Sequence, residues 1–173
     1  MLLRRWVDED APAFLDIYSR DEVARWLGPQ PRRPVATIDD ALERIRLGHG
    51  RQAGLEPPLG LWAIVPVDDD HGRPIGTVLL MPLADAGGPT DQVEIGWHLH
   101  PDKQGRGYAT EAAQAVLDRA AGTGIGEVLA LTDLDNEPSQ RVARRLEMVD
   151  DGITGRWFGI TTRQFRRALA NPA

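Results

Sequence analysis

The sequence predicts an α/β fold of the α+β kind, with a mixed, mostly antiparallel central sheet and helices on both faces. Three observations carry this expectation. Apolar residues recur at helical spacing after a short opening strand. The middle of the chain switches to β-rich runs separated by turn residues. The last third alternates helix and strand patterns.

Leu2 to Val7 reads as the first strand, followed by Asp8 and Asp10 as turn and cap residues. From Ala11 to Ser19, the residues Phe14, Leu15 and Tyr18 keep helical spacing, and Pro12 sits in the tolerated first turn. A second short helix, Glu22 to Leu27, places Val23, Trp26 and Leu27 on one face and stops at Gly28-Pro29. Pro29 to Pro34 is a loop rich in proline and arginine. Thr37 and Asp40 resemble a capping box ahead of a helix with Ile38, Leu42, Ile45 and Leu47 inward. Gly48 is its expected end, and Gly50 to Pro58 the loop after it.

Leu61 to Val67 and Ile75 to Pro82 are β-rich runs joined by the turn-forming segment Asp68 to Pro74. Its acidic cluster lacks the glutamate that a calcium loop places at position 12, so calcium is not expected there. Ala84 to Pro89 is a second turn and Gln92 to Leu99 a third strand. The clearest helix follows: Ala109, Ala112, Ala113, Val116, Leu117 and Ala120 form one stripe, ended by Gly122-Thr123-Gly124. Val128 to Thr132 is a short buried strand, and the next helix carries Val142, Ala143 and Leu146. Arg156 to Thr162 reads as the closing strand, with a basic, frayed tail after Phe165.

With 173 residues, the chain suits one domain, 1-173, around a single core. It is 42% hydrophobic and 27% charged, as in soluble globular proteins. The net charge of −6 argues against a general nucleic-acid binder. There is no cysteine, which excludes disulfides, thiolate catalysis and cysteine zinc sites. No convergent His/Asp/Glu spacing suggests a metal. Met1 to Trp6 lacks the apolar core of a signal peptide, and no apolar run approaches a membrane span. A cytoplasmic protein without membrane or nucleic-acid partners is expected, as monomer or homodimer.

The stretch Glu94 to Glu111 joins a strand, a glycine-bearing turn and the first turn of a helix. Such a turn aims backbone N–H groups at one spot, at the positive end of a helix dipole, and suits a phosphate. A Walker loop is excluded, because Gly107-Tyr108-Ala109 supplies neither its lysine nor its hydroxyl. A dinucleotide loop is excluded too, since Thr110 stands where the third glycine belongs and meander strands precede the turn. Gln104-x-x-Gly107-x-Ala109 instead matches the Q/R-x-x-G-x-G/A signature of acyl-CoA-binding acetyltransferases.

Further segments occur in the order that signature implies. They are Leu2-Leu3-Arg4, Trp62-Ala63-Ile64, Val93-Glu94-Ile95-Gly96-Trp97, Gln104 to Ala112, and Asn136-x-x-Ser139. Across roughly residues 2 to 165 the chain resembles the GNAT-superfamily N-acetyltransferases, in the branch similar to RimJ and RimL, and a GNAT-like sheet is implied. One position departs from the pattern. The family usually has Leu-Gly after its last helix, where glycine takes a left-handed cap; this chain has Leu146-Glu147-Met148.

The resemblance implies acetyl-CoA as cofactor, with its pyrophosphate on the amides of Gln104, Gly105, Arg106, Gly107, Tyr108 and Ala109, and with Thr110 beside them. It implies that pantetheine pairs as a pseudo-strand with His98 and Leu99 and bonds to Asn136. Ser139 would then lie near the sulfur, as proton donor to the departing thiolate. Glu94, on the strand before the loop, is the leading general base and would also attract a cationic amine. Glu111, at a helix N-terminus, fits dipole complementarity better than catalysis. His98 and His100 are expected to face opposite ways, one of them able to relay a proton.

Among the tryptophans Trp26, Trp62, Trp97 and Trp157, acceptor contact is expected of Trp26 and Trp97, with Glu94 and the Pro29 to Pro34 loop beside them. The expected reaction is direct transfer of acetyl, through a tetrahedral intermediate, to a primary amine. Protein N-termini, small amines and aminoglycosides are all candidate acceptors, so the partner is a small-molecule or peptide amine. The alternative is a non-catalytic acyl-CoA-binding or sensing module that keeps the loop without a working base.

Overall fold

The computed structural model describes residues 1–28, 31–67 and 72–170. Part of the Pro29 to Pro34 loop, and the acidic heart of the Asp68 to Pro74 connection, lie outside them.

The chain opens with β1 (Leu2–Arg4), α1 (Ala11–Tyr18), α2 (Asp21–Ala24) and α3 (Ile38–Gln52). The capping box is present, because Thr37 accepts from the Asp40 amide and Asp40 accepts from Thr37's. The helix does not end at Gly48. Tertiary contacts carry it through both glycines: His49 Nε2 lies 2.8 Å from the Trp6 carbonyl, and the buried Gln52 accepts from the Leu61 amide. Ile38 and Leu47 face solvent, while Ala41 and Ile45 supply the buried stripe.

Next come β2 (Gly60–Val65), β3 (Gly76–Asp85) and β4 (Gly88–Leu99), then α4 (Tyr108–Ala120), β5 (Glu127–Thr132) and α5 (Glu137–Arg145). All six residues of the predicted α4 stripe are buried. The C-terminal segment departs from expectation. Instead of one strand over 156–162, the chain makes a hairpin of β6 (Val149–Thr154) and β7 (Thr162–Ala168), so Arg166 and Arg167 are paired in the sheet. β6 was illegible because it is an edge strand with Val149 and Ile153 exposed, and because Asp150-Asp151-Gly152 looks like a turn but is a bulge.

The seven strands follow the order β1-β2-β3-β4-β5-β7-β6, antiparallel except for β4 beside β5. α4 and α5 cover one face over the main core, which includes Val78, Ile95, Val128 and Phe165. α1 and α3 cover the other face over a second core that includes Trp6, Ile17, Val35 and Ile45. Side-chain alternation therefore divides β4: Val93, Ile95 and Leu99 enter the main core, whereas Glu94, Gly96 and His98 face the α1–α3 side.

Candidate active site

Among the described residues, β4 and β5 share one register pair, Glu94 with Leu129. β4 nevertheless continues to Leu99 and β5 to Thr132. The edge of β4 after Glu94 thus presents backbone groups that β5 does not take up. A cleft of about 1590 Å³ opens at this split, bounded by the α2–α3 connection and by the N-termini of α4 and α5.

One end of the cleft is built by the turn before α4. Gly105 (φ 74°) and Gly107 (φ 87°) both adopt left-handed backbone, which an L side chain resists, and Gly107 is the N-cap of the helix. Gln104 braces the turn by donating to the Leu99 carbonyl at 3.3 Å. Among the described residues, no amide from Gly105 to Thr110 has a hydrogen-bond partner. Thr110 Oγ1 is likewise buried without one. These donors, at the positive end of a 13-residue helix, fit a pyrophosphate. The Arg106 side chain is exposed and outside the cleft wall, so this residue offers its amide rather than its charge.

The second helix terminus lies opposite. Asn136 is buried and caps α5, its Oδ1 accepting from the Ser139 amide at 3.3 Å. That leaves its Nδ2 as a donor. Ser139 is half-buried on the cleft wall, and its hydroxyl has no partner among the described residues. Asn136 and Ser139 therefore meet Gln104–Thr110 and His98–Leu99 around one cleft. Glu111 does not line it.

Glu94 sits half-buried at the apex of the strand split. Burial pushes its carboxyl up to about 7, against the opposing pull of the Arg51 charge across the cleft. His98, two positions beyond Gly96 on the same face, is pulled down to about 4 by burial and is neutral at pH 7. The two histidines do not face opposite ways. Positions two apart on extended chain share a face, and both reach toward α1: His98 Nδ1 lies 3.4 Å from Tyr18 Oη, and His100 Nε2 lies 3.4 Å from Asp16. His100 Nδ1 also accepts from the Asp102 amide, fixing the turn.

A model of the acetyltransferase (GNAT) domain matches residues 1–149. The chain belongs to the GNAT acetyltransferase family. An uncharacterized N-acetyltransferase of Bacillus subtilis, YoaA, is 24% identical over 154 residues, covering 88% of this chain and 81% of its own. RimL, a ribosomal L7/L12 alpha-N-protein acetyltransferase solved with coenzyme A, superposes with a TM-score of 0.74 at 16% identity, covering 98% of this chain and 94% of its own. A phosphinothricin acetyltransferase from Sinorhizobium meliloti, solved with acetyl-CoA, gives 0.69 at 18%, covering 98% and 88%. The two superpositions show a shared fold.

On this GNAT scaffold, the aromatic candidates separate. Trp26 lines the cleft under a guanidinium, with Arg25 Cζ 4.6 Å from its ring. Trp97 borders the cleft too, on the opposite face of β4 from Glu94, and packs against the main core. Trp157 is fully buried against Leu83 and Leu129, and Trp62 packs on the main core. The α2–α3 connection reaches over the cleft through Arg32, which bonds Asp133 at 2.9 Å and the Gly28 carbonyl at 3.0 Å. Sequence reading missed the Arg32–Asp133 pair and the Tyr18–His98 contact. Tyr18 registers only as one apolar position of α1, and its hydroxyl's partners, Thr77 and His98, lie far away in the chain.

Proposed function

We propose that the chain acetylates a primary amine of a small-molecule or peptide acceptor, with acetyl-CoA held between the α4 turn and the start of α5. The reading rests on one observation above all. A carboxylate poised near neutrality, Glu94, stands at the apex of the strand split, in the same cleft as an uncommitted set of helix-terminal amides.

When bound, acetyl-CoA supplies a thioester carbonyl carbon open to attack by the amine. Gly105 to Thr110 hold the pyrophosphate through backbone N–H groups, and Thr110 Oγ1 adds a hydroxyl. The β4 edge at His98 and Leu99 offers main-chain groups to the pantetheine arm, and Asn136 adds its Nδ2. Glu94 accepts the proton of the acceptor ammonium; a base with its pKa near the working pH is well matched to this task. Ser139 Oγ would relay to the departing sulfur the second proton that the attacking amine sheds.

Thiol release from acetyl-CoA, measured over a panel of primary amines, tests the reading. At least one amine should give turnover that Glu94→Gln lowers by 100-fold or more. Tight coenzyme binding with no thiol release from any amine would establish the non-catalytic binding module instead.

A further inference from the structure

His98 belongs to a buried polar chain that begins at Trp6, far away in the sequence, and runs along the wall of the cleft. Trp6 Nε1 donates to Thr77 Oγ1 at 3.2 Å. Thr77 Oγ1 lies 2.5 Å from Tyr18 Oη, and Tyr18 Oη lies 3.4 Å from His98 Nδ1. The Trp6 indole can only donate, which gives the chain a direction. Thr77 is buried, and its own proton finds an acceptor, among the described residues, only in Tyr18 Oη. The Tyr18 proton then goes to His98 Nδ1. The reverse order would leave the Thr77 proton buried and unbonded, which proteins avoid.

With Nδ1 accepting, the ring proton of a neutral His98 is on Nε2. That atom has no partner among the described residues and is not sealed off, and His98 lines the cleft. Glu94, Gly96 and His98 lie along one face of β4. Gly96 puts no side chain between the carboxylate and the imidazole, whose Cα atoms are about 13 Å apart along the strand. Resting on the proposed acetyl transfer, we infer that His98 is a specificity residue, a fixed hydrogen-bond donor that recognises a carbonyl or hydroxyl oxygen of the acceptor while Glu94 takes its amine proton. The preferred acceptor is therefore a primary amine with an oxygen a few bonds away, rather than a bare alkylamine. His98 is not the proton relay.

Nitrogen-15 NMR of the full chain reads the tautomer without need of turnover. The His98 Nε2 should be protonated and Nδ1 pyridine-like at pH 7, and Tyr18→Phe should abolish that bias. An Nδ1-protonated ring would overturn the inference. Alanyl-alaninamide spans about 7 Å and carries carbonyl oxygens; n-hexylamine carries none. The first should shift the Nε2 resonance and the second should not. In thiol release, His98→Ala should lower kcat/KM for alanyl-alaninamide at least tenfold more than for n-hexylamine, mainly through the acceptor KM. His98→Gln, whose amide nitrogen sits near the Nε2 position, should recover most of the loss. Equal losses on both amines would overturn the inference while leaving acetyl transfer intact. Absence of turnover would count against acetyl transfer alone, with the NMR arms still deciding the role of His98.

Discussion

Glu94 of β4 stands beside Leu129 of β5 on the one rung that the two parallel strands share. The carboxylate is thereby fixed where the sheet splits, half-buried and without an ion-pair partner among the described residues, and burial raises its pKa to about 7. Acetylation should fall about tenfold per pH unit below about 7 and level off above it, until a second group titrates. Glu94→Gln should remove that limb and lower kcat/KM by about 10²–10⁴-fold. A pH–rate profile of both proteins checks this. A wild-type rate flat from pH 5 to 8 would show that Glu94 is not the base.

The same residue leaves a mark on stability. Its folded pKa lies above the ordinary carboxyl value of 4.5, so the folded chain holds this proton more tightly than the unfolded chain. The contribution to stability is complete below about 4.5 and is lost as the pH rises to about 7. Glutamine carries no charge to desolvate. Glu94→Gln should therefore match the wild type at pH 4.5 and exceed it at pH 8 by about 1–3 kcal/mol. Thermal melts of both proteins at the two pH values report the difference.

The turn before α4 and the cap of α5 were legible because they are local. Gln104 to Thr110 encode their turn through two glycines with positive φ, and Asn136 to Ser139 encode a helix cap within four residues. The side-chain pairs on the far side of the cleft were not, because distant segments make them. Tyr18 meets His98 across eighty positions, and Arg32 meets Asp133 across a hundred, and neither pair leaves a periodic trace. Trp97 is a different case: strand alternation places it on the face opposite Glu94, a consequence available from the sequence once β4 was drawn.

Arg32 and Asp133 tie the α2–α3 connection to the end of β5 with the guanidinium side chain only 8% exposed. Arg32→Ala leaves Asp133 without its cation and the Gly28 carbonyl without its donor. Because Asp133 remains 22% exposed and can hydrate, the cost should be about 1–3 kcal/mol, below that of a fully buried pair. Denaturant melts check it. The loosened connection should also raise the acceptor KM several-fold, with little change in the KM for acetyl-CoA. A double-mutant cycle with Asp133→Asn should show that the two losses are not additive.

Glu147 ends α5 in left-handed backbone, φ 57°, where the family pattern has glycine. The cap itself is well formed: the Glu147 amide donates to the Arg144 carbonyl at 3.0 Å, and the Met148 amide to the Ala143 carbonyl at 3.1 Å, the paired bonds of a Schellman motif. Buried Met148 and Ala143 hold it in place, so the hydrophobic contact at the cap keeps the conformation against the strain of the glutamate. Replacing Glu147 by glycine relieves about 1–2 kcal/mol of left-handed strain. The greater freedom of glycine in the unfolded chain takes back about 0.4–1 kcal/mol. Glu147→Gly should therefore stabilise by about 0.5–1 kcal/mol, a rise in Tm of roughly 1–4 °C for a chain of this size. Glu147→Ala keeps the Cβ that causes the strain and should bring no such gain. Calorimetry of the two variants distinguishes backbone relief from the loss of a charge, since an equal rise in both would mean that the carboxylate, not the conformation, is the source.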